Sequence, residues 1–224
     1  MEQISFPPNV YQFRVVLRGI SPLIWRRILV RRDMSLATLH ATLQSVFAWS
    51  DLHLHAFRIH GKEYGSTRPG GPSFDDDPRH VPLAALSLHR RERFTYIYNF
   101  IDHWVCDLQL EALRPVDPRR SYPVCTGGKR AAPPEDCGGP WTYMQLVDRH
   151  HVPLAAMTVV ATALERLLHA DGQTTLRQAL GDRATCREAV DQLDAYLQCQ
   201  PEHFDHHHVN ARLRSLESQE GEPP

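Results

Sequence analysis

Tyr11-Gln-Phe-Arg-Val-Val-Leu-Arg-Gly-Ile-Ser-Pro-Leu-Ile-Trp-Arg-Arg-Ile-Leu-Val30 decides the fold class. Residues 11–18 are rich in β-branched and aromatic side chains and alternate in places, the pattern of a half-buried strand. Gly19 to Pro22 turns the chain, and Leu23 to Val30 reads as the return strand of a hairpin. Ser35 is placed to N-cap a helix over 36–47, where Leu36, Leu39, Leu43, Val46 and Phe47 recur at spacings of three and four. Leu54 to His60 reads as a strand closed by Gly61. Phe94 to Phe100 and Trp104 to Leu110 read as a second hairpin that turns at Ile101 to His103. Helical periodicity then takes over, at roughly 142–149, 154–169, 185–198 and 207–217.

Strands first and helices afterwards predict an α+β fold. Its antiparallel or mixed sheet is built from the N-terminal and central hairpins with one packed helix, followed by a helical C-terminal part. The expected division is a core over 1–149 with a Cys-bearing loop at 113–140, a helical extension packed on that core over 150–217, and a disordered polar tail over 218–224. Residues 65–80, with their Gly, Pro and the Asp75-Asp76-Asp77 run, read as an exposed loop. No internal repeat is visible.

A chain of 224 residues with 42% hydrophobic residues can bury a real core. A net charge of -1 makes the whole molecule no electrostatic magnet for nucleic acid. Charge is unevenly spread, however: residues 1–60 hold seven Arg against Glu2, Asp33 and Asp51. Arg26, Arg27, Arg31 and Arg32 concentrate it into an edge able to contact phosphate or carboxylate, on nucleic acid or on a protein. A solvated edge strand protected by charge is the plainer reading. The N-terminus lacks a signal-peptide pattern, and the longest weakly polar run, Val152 to Leu164, is too short to cross a bilayer. Five cysteines is an odd count without secretory context, so a reducing cytoplasm is expected, with no membrane contact.

Cys125 and Cys137 lie in a stretch, 122–141, too rich in Pro and Gly for a helix or a central strand. With Cys106 they offer three thiolates, and His53 and His55, two apart on a predicted strand, offer an imidazole. Three Cys and one His make an accepted structural zinc set, although no Cys-x-x-Cys knuckle is present. Cys106 also shares a strand face with Trp104, Leu108 and Leu110, where a free Cys is an ordinary small hydrophobe. Asp51, His53, His55 and Asp102, with His103, could instead form a hydrolytic metal centre. The run His203-Phe-Asp-His-His-His208 invites a metal, but the favoured reading is a helix start with Asp205 as N-cap. No nucleophile elbow, P-loop, dinucleotide turn or His-Glu-x-x-His helix occurs.

Several of these motifs occur together in one family. Tyr11 to Ile28, Trp49-Ser-Asp-Leu-His-Leu-His-Ala-Phe57, Tyr98-Asn-Phe-Ile-Asp-His-Trp104, Tyr122-Pro-Val-Cys and Pro133-Pro-Glu-Asp-Cys-Gly-Gly139, with Phe204-Asp205 and Val209 to Leu213, resemble the open-reading-frame-three family of root-inducing plasmids. Its members are often labelled insertion-element passenger proteins or TnpR-like. The resemblance covers roughly 10–149 and 190–216 and implies a mixed α+β fold and association with mobile elements, but no reaction. The Ser-among-Arg layout of a serine recombinase has no counterpart here. Three positions depart from the family pattern: Asn99 replaces an Asp, Ile101 a Gly, and Cys106 a His. The last exchange suits a zinc ligand, which favours Cys106, Cys125, Cys137 and one of His53 or His55 around structural zinc. The leading expectation is a non-enzymatic binding module with a protein or nucleic-acid partner. A metal-dependent hydrolase or nuclease is the alternative, and a homo-oligomer formed through the helical third is a further one.

Overall fold

The computed structural model describes residues 9–65, 74–149, 154–169, 182–199 and 202–220. The strands are β1 (Val10–Leu17), β2 (Trp25–Arg31), β3 (His55–Ile59), β4 (Lys62–Tyr64), β5 (Arg93–Tyr98), β6 (Trp104–Arg114) and β7 (Val124–Lys129). The helices are α1 (Leu36–Phe47), α2 (Gly139–Arg149), α3 (Leu154–Leu168), α4 (Arg183–Cys199) and α5 (His206–Glu220). The seven strands form one sheet in the order β4-β3-β5-β6-β1-β2-β7, with antiparallel neighbours throughout. This is the α+β class expected from the order of elements.

The alternation in β1 sets the layering. Phe13, Val15 and Leu17 are fully buried, while Gln12, Arg14 and Val16 between them are half-buried. Register carries the buried face across the sheet: Leu17 opposes Cys106, which opposes Tyr96, which opposes Phe57. α1 carries the matching apolar stripe, with Leu36, Leu39 and Leu43 completely buried. Ser35 accepts the Thr38 N–H at 3.1 Å as N-cap, and Ala48, at φ 57°, ends the helix by turning its N–H back to Gln44 and Ser45.

β2 lies between β1 and β7, so the arginine-rich strand is interior to the sheet and not an edge. Arg26 occupies an inward position in register with Ile28 and is 2% exposed. Its guanidinium donates to the carbonyls of Val46 (3.1 Å), Trp25 (2.8 Å) and Lys129 (3.1 Å) and sits over the rings of Phe47 and Phe204. Val46 lies in the last turn of α1, whose carbonyls have no helical partner and favour a cation. Burial lowers the Arg26 pKa to about 10, which leaves it charged at neutral pH. Phe204 can reach it because β7 is narrow there: a Cβ at Gly128 would stand 2.6 Å from the Phe204 ring. The Gly-rich stretch expected as loop is therefore a strand at the edge of the sheet, thinned to admit an aromatic.

The chain divides into one unit running to Tyr143 and resuming at Glu202, and a second from Met144 to Pro201. This boundary differs from the expected 149/150 division, and α5 belongs with the sheet. Asn210 of α5 accepts the Cys125 N–H (2.8 Å) and donates to the Cys125 carbonyl (2.9 Å), completing one residue of the exposed edge of β7. The second unit pairs α3 with α4. α5 runs to Glu220, so the expected tail from 218 is helical for its first three residues, and 221–224 lie outside the described residues.

Replacing Arg26 by Met would leave three buried carbonyls without their donor. Arg26→Met is expected to lower stability by about 3 kcal/mol in urea unfolding. Arg26→Lys should recover little of it, because an ammonium cannot spread across three acceptors and two rings. A wild-type midpoint for Arg26→Met would refute this role.

Candidate functional site

Three of the segments carrying sequence motifs, 49–53, 98–104 and 133–139, meet at one place. Trp49 follows the end of α1 and stacks on Phe47 and Tyr98, with ring centroids 4.9 and 5.1 Å apart. Trp49 and Trp104 donate their indole N–H groups to the carbonyls of Pro133 (3.2 Å) and Glu135 (2.9 Å). These bonds hold Pro133 to Gly139 against the aromatic floor. The Glu135 carboxylate accepts the Ser50 N–H at 2.7 Å and the Tyr98 hydroxyl. Asp136 Oδ1 pairs with His53 Nε2 at 2.6 Å and accepts from Asn99 Nδ2 at 3.2 Å. Asp102 accepts the Gly138 N–H at 3.0 Å. Gly139, at φ 81°, packs so close to the Asp102 carbonyl that any Cβ would collide with it.

Burial acts on Glu135 to raise its pKa, but the Tyr98 hydroxyl and the Ser50 and Leu52 N–H groups outweigh it and hold the carboxyl below its ordinary value. Burial and the same carboxylate push the Tyr98 phenol well up, so it stays a donor.

Beside this loop lies a closed ring of hydrogen bonds. The Asp51 N–H can only donate, and it does so to Gln44 Oε1 at 3.1 Å, which fixes the amide. Gln44 Nε2 then donates to the Tyr96 oxygen at 2.8 Å, and the Tyr96 proton goes to His40 Nδ1 at 2.7 Å. His40 Nε2–H closes the ring on Asp51 Oδ1 at 2.8 Å. This assignment places a proton on His40 Nε2. His55 lies flat against His40, with ring centroids 3.5 Å apart and planes 11° from parallel.

His40, Asp51 and His55 form the group of three potential metal ligands, with donor atoms all within 4.8 Å of one another, found among the described residues. The fit to an ion is poor in this arrangement. A metal–imidazole bond of about 2.0–2.1 Å lies in the ring plane. An ion held in the plane of one stacked ring would stand far above the plane of the other. Both His40 nitrogens are also engaged. The group is therefore a polar clasp under α1 unless one ring turns.

The expected sites are distributed differently. Of the hydrolytic set, Asp51 and His55 come together, whereas His53 pairs with Asp136 and Asp102 holds Gly138. Cys106 and Cys125 are buried on β6 and β7, and Cys137 is half-buried in the pinned loop. They form no cluster with His53 or His55 among the described residues. Both buried thiols instead lie within electrostatic reach of the Arg26 guanidinium, so a cation already occupies their neighbourhood. Burial pushes all three thiols up, which opposes thiolate formation. The arginine edge likewise dissolves. Arg26 is interior, Arg27 is paired with Glu111 (2.6 Å) and Arg31 with Asp33 (2.5 Å), and Arg32 lies over the Tyr11 ring. Asp205 caps α5 through the N–H groups of His207 and His208, as its position in the sequence suggested.

The model of the plasmid pRiA4b ORF-3-like protein family matches residues 9–156, well over half of the chain. The chain belongs to that family. An uncharacterized protein, y4hQ of Sinorhizobium fredii, is 29% identical over 141 residues, which span 62% of this chain and 72% of the relative. A protein of unknown function from Methanosarcina mazei, MM3350, has a crystal structure that aligns with a TM-score of 0.60 and 28% identity. That alignment covers 91% of this chain and 98% of the other. None of the described helices is long and apolar enough to cross a membrane.

The departures of this family member from the usual pattern now have locations. Asn99 adopts φ 51°, which Asn tolerates well, and its Oδ1 accepts from the N–H groups of Ile101 and Asp102. The turn's left-handed positions fall on Asn99 and His103, so Ile101 needs no glycine. Cys106 faces Tyr96 and Leu17 in the core.

Because folding lowers the Glu135 pKa, its contribution to stability is complete above the unfolded value of about 4.3 and is lost as pH falls through the folded one. Lowering the pH from 7 to 3 should thus change the fluorescence of Trp49 and Trp104 before global unfolding, and Glu135→Gln should remove that early step. An unchanged acid profile in Glu135→Gln would count against Glu135 as the group that pins the loop. Gly139→Ala combines a positive φ with a backbone clash and should cost at least about 2 kcal/mol by thermal unfolding.

Proposed function

We propose that this chain is a non-enzymatic recognition module whose binding end is the pinned motif cluster, and that its partner is a protein segment carrying both basic and apolar residues. The observation that carries this reading is the exposure of three large apolar side chains there: Leu52 (70%), Ile101 (91%) and Trp141 (72%). Each sits on, or directly beyond, one of three segments tied together by the bonds of Glu135, Asp136 and Asp102. Large apolar groups held exposed on a rigid frame mark interaction sites. The same segments, 49–53, 99–104 and 133–141, contain Asp51, Asp102, Glu135 and Asp136 and neither Lys nor Arg, so the surface is complementary to a cation. The buried His40–Asp51 ring then serves to set the backbone of Asp51, held at φ 57°, and with it the direction of Leu52.

A photo-reactive residue placed at Ile101 or Trp141 in the native host should give the same discrete adduct, with a basic, apolar segment of one protein. Exposed Leu113, on the far end of β6, should not give it. Adducts that are absent, or equal from Leu113, would remove the proposal.

A hydrolytic reading retains Asp51 and His55. Hydrolysis of bis(p-nitrophenyl) phosphate with added Zn²⁺ or Mn²⁺ that disappears in His55→Ala, at an unchanged unfolding midpoint, would put that reading in its place.

A further inference from the structure

On the sheet face opposite α1, an open recess of about 450 Å³ is bounded by Gln12, Arg27, Arg114, Asp117, Arg120 and Tyr122. Buried Leu29 and exposed Pro115 add apolar lining. A few polar groups converging on a partly apolar recess of this size is the usual form of a small-molecule site. Charge within it is not balanced group for group. Arg27 forks onto Glu111 with bonds of 2.6 and 3.0 Å, and Arg120 lies 3.3 Å from Asp117. Arg114 instead donates Nε to the neutral amide oxygen of Gln12 at 2.6 Å. Among the described residues it is the lining arginine without a carboxylate partner. Gln12 in turn donates Nε2 to Glu111 at 2.6 Å, so a chain of bonds from Arg27 through Glu111 and Gln12 orients the Arg114 fork.

Tyr122 contributes a second donor. Its hydroxyl oxygen accepts the Asp117 N–H at 3.0 Å, which leaves its own proton to give away. Arg120 stands on the same short loop between β6 and β7. A planar guanidinium, a phenolic O–H and a second guanidinium at one recess form a donor set for an oxyanion.

We propose that this recess is a binding site for a small organic oxyanion, a phosphate ester or polycarboxylate whose apolar portion rests on Leu29, Pro115 and the Tyr122 ring. The site lies on the sheet face turned away from α1 and uses none of the residues of the motif cluster, so it stands or falls independently of the recognition reading.

Isothermal titration of the full chain with pyrophosphate, adenosine 5′-monophosphate and citrate at constant ionic strength tests this. Saturable one-to-one binding is expected for at least one probe. Arg114→Gln should weaken it about tenfold, as loss of a charge-assisted pair does. Tyr122→Phe should weaken it less, and Arg79→Gln, an exposed arginine paired with Asp77 outside the recess, should leave it unchanged. Tighter binding of either phosphate probe assigns a phosphate ligand, and tighter binding of citrate a carboxylate. No saturation with any probe, or equal affinity in Arg114→Gln, would overturn the proposal.

Discussion

One buried positive charge organises the first unit. A guanidinium taken out of water is costly unless its donors are met, and Arg26 meets them with carbonyls from three places: the last turn of α1, its own strand and the end of β7. The rings of Phe47 and Phe204 close over the cation from α1 and from the segment before α5. Helix, sheet and C-terminal helix are therefore referred to a single point. Gly128 in β7 follows from what that point requires, since any Cβ there would collide with Phe204. Arg130 repeats the device nearby: its buried side chain donates to the Pro22 carbonyl at 2.6 Å and lies 2.8 Å from the Glu202 carboxylate.

The motif cluster is built by the opposite logic, with carboxylates as the hubs. Glu135 and Asp136 gather indole, phenol, amide and imidazole groups from strands and turns distant in sequence. Segments that look like separate signatures along the chain are parts of one fixture. What they jointly hold still is a set of apolar side chains facing solvent, and a rigid frame lowers the entropy lost when such side chains meet a partner.

Much of the fold was legible because it obeys local periodicity. The bounds of α1 follow from its leucine spacing and Ser35, and the two hairpins from their alternation and turns. β7 was not legible, since Gly127 and Gly128 read as loop, and only the ring of Phe204 explains why Gly128 carries no side chain. Arg26 was misread as surface because Arg26-Arg27 looks like one basic patch. The available signal was its register with Ile28 and Val30, which places it on the inward face. His40 was missed for a similar reason: it lies one turn from Leu36 on the buried stripe of α1, where a polar residue implies a buried partner. The ligand set around the cysteines drew on residue types alone, whereas Cys106 and Cys125 lie on strands with β1 and β2 between them.

The path of the chain through its units bears on how it is made. The first unit is left at Tyr143 and rejoined only at Glu202, so its sheet is synthesised without Phe204, Asn210 or Glu202 in place. Until residues 202–213 leave the ribosome, a growing chain holds Arg26 under an open roof and β7 as a bare strand edge, the state most exposed to wrong pairing. α5 thus acts as the keystone of an arch whose other stones are laid long before it arrives.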